Sequence, residues 1–355
     1  MRMAIIGLPA SGKTTLFDAL TGRRDEPGTY VAPGSVQVGV VLVADERVDF
    51  LAGLLQPQKH TYASLEFVDI GGLFSGEKAS PEAVAAMRDA DGFVKVVRAF
   101  QDPSIPHLKG SVDPRRDLEE MDADLFVVDL DIIERRIEAL RESVRKPTPE
   151  QEQEKAELAL LERCREQLET VGALDRLDLS EDERKLLSGF AFLTQKPGVV
   201  VLNIGEDQIP EDAPRPELGE RQEAVVPVCA EIEKEILELE PAERKPFLED
   251  LGLEELSAQQ VVAACLQALD LITFFTSNEK ELRAWLLPRG STAIEAAGKV
   301  HTDLARGFIR AEVVACDDLR ALGSWKELRA NGKVRLEGKD YVVQDGDILQ
   351  VRFSV

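Results

Sequence analysis

Eight residues near the start of the chain constrain its fold more than any other feature: Gly7-Leu8-Pro9-Ala10-Ser11-Gly12-Lys13-Thr14, a complete GxxxxGK[ST]. A short apolar run, Met3-Ala4-Ile5-Ile6, precedes it. The residues Thr14-Thr15-Leu16-Phe17-Asp18-Ala19-Leu20 continue it, with Leu16 and Leu20 on one helical face. Strand, glycine loop and helix in that order open an α/β nucleotide-binding fold. Glycines let the backbone curl until successive N–H groups point at phosphate oxygens, while a lysine adds a point charge and a hydroxyl reaches a divalent cation. Ala10, Ser11, Gly12, Lys13, Thr14 and Thr15 are therefore expected to cradle the phosphates of a nucleoside triphosphate, with Lys13 serving the β/γ-phosphates and Thr14 coordinating Mg²⁺.

Further apolar runs repeat the strand signal at Val38-Gly39-Val40-Val41-Leu42-Val43, Leu65-Glu66-Phe67-Val68, Gly92-Phe93-Val94-Lys95-Val96-Val97, Gly198-Val199-Val200-Val201-Leu202 and Ala224-Val225-Val226-Pro227-Val228. From about residue 115 to 190 the pattern changes to a charged, glycine-poor sequence of helical period. Ile133, Ile137, Leu140 and Val144 form one stripe, and Leu161, Cys164, Leu168 and Val171 form another. Arg145-Lys146-Pro147-Thr148-Pro149 separates them, and its prolines stop one helix before the next begins. The pattern predicts an antiparallel helical hairpin inserted in the α/β domain, its stripes forming a mutual seam. The final 80-odd residues read as a small domain of short strands and turns, with strand-turn-strand character at residues 333–343. Gln344-Asp345-Gly346-Asp347 is then a turn before the last strand.

Charge and composition exclude several classes. With 43 Lys+Arg against 66 Asp+Glu the formal net charge is −23, and residues 1–279 carry all of the excess, since residues 280–355 hold 13 basic and 11 acidic side chains. An acidic body repels a phosphate backbone, so direct DNA binding is not expected. No apolar run approaches the roughly 18 residues of a membrane span, and the N-terminus runs into the glycine loop without a signal-peptide pattern, so a cytoplasmic protein is expected. Four scattered cysteines without a CxxC and three histidines give neither a disulfide framework nor a zinc signature.

Three more positions carry chemistry. Asp69-Ile70-Gly71-Gly72 closes the Leu65–Val68 strand, where a carboxylate can hold Mg²⁺ through water and the Gly72 amide can sense a γ-phosphate. Leu73 follows, an apolar residue that cannot orient water. Asn203-Ile204-Gly205-Glu206 follows the Val199 strand in the place of a guanine-reading NKxD. Its Asn203, Ile204 and Glu206 either line the base or form an ordinary turn after a buried strand.

The chain resembles the Obg-like P-loop ATPases of the YchF type over nearly its whole length. The likeness is sharpest at Lys280-Glu281-Leu282-Arg283-Ala284-Trp285, Ala296-Ala297-Gly298-Lys299-Val300-His301-Thr302-Asp303 and Gly307-Phe308-Ile309-Arg310-Ala311-Glu312. Glu337-Gly338-Lys339-Asp340-Tyr341-Val342-Val343-Gln344-Asp345-Gly346-Asp347 shares it, and Pro227-Val228-Cys229-Ala230 resembles the motif beside the base pocket. The resemblance implies an α/β fold: a Rossmann-like P-loop NTPase G domain at residues 1–114 and 196–272, an α-helical hairpin arm at 115–195 and a ubiquitin-like β-grasp (TGS) domain at 273–355. It implies Mg²⁺-dependent hydrolysis of ATP, with GTP possible, and the ribosome or translation machinery as partner. It also implies that His107 from a loop replaces the missing glutamine, so that Lys13 and His107 carry catalysis. An imidazole titrating near neutrality is suited to orienting water or accepting its proton. The switch-I threonine of the family has no clear counterpart here. Its place falls at residues 32–35, with Thr29 and Ser35 the nearest hydroxyls, and the stretch at residues 74–78 is shortened. A GTP-specific translational switch and a non-hydrolysing nucleotide-gated scaffold are the alternative readings.

Overall fold

The computed structural model describes residues 1–22, 36–71, 80–210, 213, 215–219, 222–253, 255–278 and 280–354. In chain order the elements are β1 (Arg2–Ile6), α1 (Lys13–Thr21), β2 (Val36–Leu42), α2 (Glu46–Leu55), β3 (Lys59–Thr61), β4 (Ser64–Ile70), α3 (Pro81–Asp89), β5 (Gly92–Arg98), α4 (Pro114–Ser143), α5 (Gln151–Val171), β6 (Gly198–Asn203) and β7 (Ala224–Val228). Helices Ala230–Glu238, Pro241–Asp250 and Ser257–Ala268 lead to β8 (Leu271–Ser277), β9 (Glu281–Pro288), β10 (Phe308–Ala315), β11 (Arg335–Glu337) and β12 (Asp347–Phe353), with the helix Ala293–Val300 between β9 and β10. None of these helices is long and apolar enough to cross a membrane.

These elements form two compact units, residues 2–39 with 67–261 and residues 40–66 with 262–355. The first holds the six-stranded sheet β2-β4-β1-β5-β6-β7. Strands β1, β5, β6 and β7 run parallel to one another, and β5 and β6 are buried along their full lengths. Such central strands need continuous apolar runs rather than alternation, which is how they read in the sequence. Among their few polar residues, Lys95 in β5 has its ammonium 2.7 Å from both Asp122 and Glu223. One side of the sheet packs Ala4, Ile6, Val97 and Leu202 with Met87 of α3 and Leu118, Met121 and Leu125 of α4. Each fully buried large apolar side chain contributes about 1.5–3 kcal/mol.

The start of α4 is capped by Asp113, whose side chain accepts from the Arg116 amide, with Pro114 at the first helical position. Farther along, Ile133, Ile137 and Leu140 of α4 bury against Leu160, Leu161, Cys164 and Leu168 of α5. Polar pairs flank the seam at Ser143–Glu154 and Arg136–Glu157, so α5 returns alongside α4 as the two stripes predict. The last stripe member, Val171, is exposed, because Gly172 terminates α5 there. At the root of this arm the buried Asp129 carboxylate accepts from the amides of Leu193 (2.9 Å) and Thr194 (2.7 Å) and from the Thr194 hydroxyl (2.7 Å).

The second unit holds the sheet β11-β10-β12-β8-β9-β3. An antiparallel hairpin β8–β9, a parallel central pair β8–β12 and antiparallel β10 beside both β12 and β11 give the strand order of a ubiquitin-like β-grasp. Ala293 and Ala296 of the interposed helix pack against Ile272, Val313 and Leu349 of this sheet. The expected division at 1–114 with 196–272, 115–195 and 273–355 differs from this grouping, which keeps residues 115–195 in the first unit and puts residues 262–272 in the second. Residues 40–66 also join the C-terminal unit, where β3 pairs parallel to β9 and extends the sheet. Arg47 of α2 lies 5.3 Å over the Phe275 ring and is ion-paired with Asp45 and Asp345. The strand-turn-strand expected at residues 333–343 is only half formed. β11 is present, but its return is a single bridge between Val342 and Thr292.

Candidate nucleotide-binding site

Because β1, β5, β6 and β7 are parallel, the residues that follow them share one edge of the first sheet, where α/β folds bind ligands. The glycine loop leaves β1 and turns sharply into α1. Ala10 takes φ +61° and Gly12 takes φ +90°. A Cβ on Gly12 would lie 2.0 Å from the Asn203 amide nitrogen, so this position admits only glycine. No side chain caps the start of α1, and its first amides are left for an anion.

Lys13 is buried and its ammonium donates to the Leu8 carbonyl at 2.9 Å. Burial pulls its pKa down to about 8, with the Asp69 charge pulling the other way. The Thr14 hydroxyl donates to Asp69 Oδ2 at 2.8 Å, which unites the two predicted metal ligands. Asp69 is fully buried, and its Oδ1 has no hydrogen-bond partner. Burial raises the Asp69 pKa, opposed by the Thr14 hydrogen bond and the Lys13 charge. An oxygen stranded in this way beside a threonine hydroxyl and a lysine suits a hard cation. Ser11 Oγ is likewise buried without a partner.

The segment after β6 departs from a simple base-reading role. Asn203 is buried, its amide nitrogen donating to the Ser11 carbonyl at 2.9 Å and its oxygen accepting from the Ala230 amide at 3.2 Å. It therefore ties the glycine loop to the turn after β7, a role that its place in the sequence does not reveal. Ile204 packs into the apolar core, and only Glu206, in the turn Glu206–Gln208, is exposed. Thr15 is half-buried in the first turn of α1, and Ala10 is exposed at the tip of the loop.

His107 is not in contact with these groups. Its Nε2 lies 2.9 Å from Asp117 Oδ2, and its Nδ1 accepts the Lys109 amide at 3.1 Å. The preceding loop is pinned by Arg98, which donates to the carbonyls of Phe100, Asp102 and Ile105. Gly72, Leu73, Thr29, Ser35 and the stretches 32–35 and 74–78 lie outside the described residues.

Comparison with known proteins agrees with this arrangement. The family model for the YchF GTPase C-terminal domain, described as a protein of unknown function, matches residues 271–354. A model described as a 50S ribosome-binding GTPase matches residues 2–161. The chain is 39% identical over 366 residues to the ribosome-binding ATPase YchF of Escherichia coli O157:H7, covering 100% of this chain and 99% of that protein. It is 38% identical over 365 residues to the ribosome-binding ATPase YchF of Bacillus subtilis (strain 168), covering 99% and 98%. Among solved structures, the YchF GTPase of Schizosaccharomyces pombe superposes with a TM-score of 0.85 at 28% identity, covering 99% of this chain and 97% of that one.

Proposed function

The chain belongs to the YchF family of P-loop proteins, and from that premise we propose that it is a ribosome-binding ATPase whose nucleotide state governs that binding. The observation that carries the reading is the Thr14–Asp69 pair behind an intact glycine loop. That pair supports triphosphate binding with a metal and not a bare anion site. Thr14 and Asp69 would hold Mg²⁺, which when bound neutralises phosphate charge. The glycine-loop amides and the start of α1 would take the β-phosphate, and Lys13 would swing from the Leu8 carbonyl to the β/γ-phosphates.

ATP is favoured over GTP because Ile204, at the lysine position of NKxD, is committed to the core, and the curated relatives are named as ATPases. In hydrolysis a water oxygen bonds to the γ-phosphorus as the bond to the bridging oxygen breaks, and His107 would orient that water and take its proton. Ribosome association follows the names of the same relatives, and a cytoplasmic location belongs to the same proposal.

The test is binding and turnover of ATP and GTP with and without Mg²⁺ on wild type, Lys13→Ala and His107→Ala, with co-sedimentation on ribosomes in each nucleotide state. Tight ATP binding that Lys13→Ala abolishes, turnover lost in His107→Ala and nucleotide-dependent sedimentation are expected. Binding without turnover in the wild type overturns the enzyme reading in favour of a nucleotide-gated scaffold, and a GTP preference overturns the reading of Ile204.

A further inference from the structure

We infer that Asp117 is a positioning residue for His107, holding the imidazole in a parked state from which it must be released before it can serve the attacking water. The inference rests on the reading of His107 as the group that serves that water.

Both ring nitrogens of His107 are spoken for. A nitrogen that accepts a backbone N–H carries no proton, so the Lys109 amide on Nδ1 places the neutral ring's proton on Nε2, directed at Asp117. The His107 side chain is only 5% exposed and that of Asp117 only 2%. A ring held in this way presents no lone pair to a water molecule. Acting as a base requires that one of the two bonds break.

The Asp117 half of the pair is built to hold. Its other oxygen, Oδ1, accepts from Arg116 Nε at 3.1 Å and Nη2 at 2.7 Å. Arg116 is fixed in turn on the Ser111 carbonyl at 2.8 Å and hydroxyl at 3.1 Å. Asp117 sits near the start of the 30-residue helix α4, where the helix dipole favours a carboxylate. A hydrogen bond to a carboxylate is stronger than one from a neutral amide, so the Asp117 contact is the one that sets the cost of release. Arg98 fixes the loop up to Ile105, and Gly110, at φ +79°, lies between His107 and the helix. Release is therefore a local movement of the short segment carrying His107.

The experiment combines steady-state ATP turnover with ¹⁵N-histidine NMR on the full-length chain, which has only three histidines to assign. Asp117→Ala is expected to raise kcat about threefold or more at unchanged KM, as the loss of one holding hydrogen bond implies. Asp117→Asn, which keeps a neutral acceptor, should fall between Asp117→Ala and wild type. The rise should vanish in a His107→Ala background. In the spectra, wild-type His107 should show the Nε2–H tautomer alone, and Asp117→Ala should show averaged tautomers.

An unchanged or lower kcat in a variant that still melts cooperatively overturns the inference, as does an equal rise without His107. Should Asp117→Ala fail to fold, Arg116→Gln loosens the carboxylate without removing it, and a smaller rise in kcat is expected. If His107→Ala alone retains wild-type turnover, the catalytic reading of His107 fails instead. The tautomer pattern then decides separately whether Asp117 holds the ring, and a pattern unchanged in Asp117→Ala overturns that too.

Discussion

The side-chain amide of Asn203 donates to the Ser11 carbonyl across 2.9 Å, so the end of β6 holds the glycine loop at the end of β1. Its oxygen takes the Ala230 amide, and the glycine loop, β6 and the turn after β7 are locked together through one buried side chain.

Removing that side chain strands the Ser11 carbonyl and the Ala230 amide away from water. Asn203→Ala should cost roughly 1–3 kcal/mol of stability per stranded group and weaken ATP binding about tenfold or more. Asn203→Asp keeps the acceptor for Ala230 but turns an oxygen toward the Ser11 carbonyl, so it should weaken ATP binding at least as much. Urea melts and ATP titrations on the two variants check this. Full ATP affinity in Asn203→Asp would show that the tie to Ser11 does not shape the loop.

Thr14 and Asp69 make a second, separable prediction. Thr14→Val and Asp69→Asn should each cut the Mg²⁺-dependent part of ATP affinity about 10–100-fold, the usual range for loss of a group supporting a metal. Mg²⁺-free affinity should change little, because the loop amides and Lys13 remain. Isothermal titration with and without Mg²⁺ separates the two contributions, and an equal loss in both conditions would remove Asp69 from the metal site.

Much of this was legible in the residues themselves. The glycine loop carries its own geometry, the buried parallel strands are continuous apolar runs, and the 3–4 spacing of Ile133, Ile137 and Leu140 gives the arm. What escaped had no periodic signature. β3 is three residues long, Lys59-His60-Thr61, too short and polar to show alternation, so its place beside β9 could not be read from its own sequence. Asn203 was visible as a position but not as a tie, because hydrogen bonds across 192 residues leave no spacing rule. The His107–Asp117 pair is likewise a product of where α4 begins, which fixes the Asp117 carboxylate ten residues downstream of the ring.

The root of the arm depends on one carboxylate. Asp129 accepts three hydrogen bonds from Leu193 and Thr194 and is fully buried. Asp129→Ala leaves those donors unpaired and should lower stability by about 2–4 kcal/mol, each stranded donor costing on the order of 1 kcal/mol or more. The midpoint of urea unfolding, at an unchanged slope, reads this directly. A shift within experimental error would mean that water satisfies the donors.

Lys13 gives the site a proton-linked signature. Its folded pKa is about 8, against the ordinary 10.5, chiefly because burial disfavours the ammonium. Between these values the unfolded chain holds a proton that the folded chain lacks, so stability rises with pH across the window and the burden of burial is complete below it. The upper bound on that rise is about 3 kcal/mol. Triphosphate binding supplies the counter-charge that restores the ammonium, so ATP binding above the folded pKa must take up a proton. At pH 9, where ATP is already fully ionised, uptake should approach about 0.9 proton per site. Binding enthalpies measured in two buffers of different ionisation enthalpy yield that number. Uptake near zero at pH 9 would mean that Lys13 is already charged before nucleotide arrives, and that its burial does not lower its pKa.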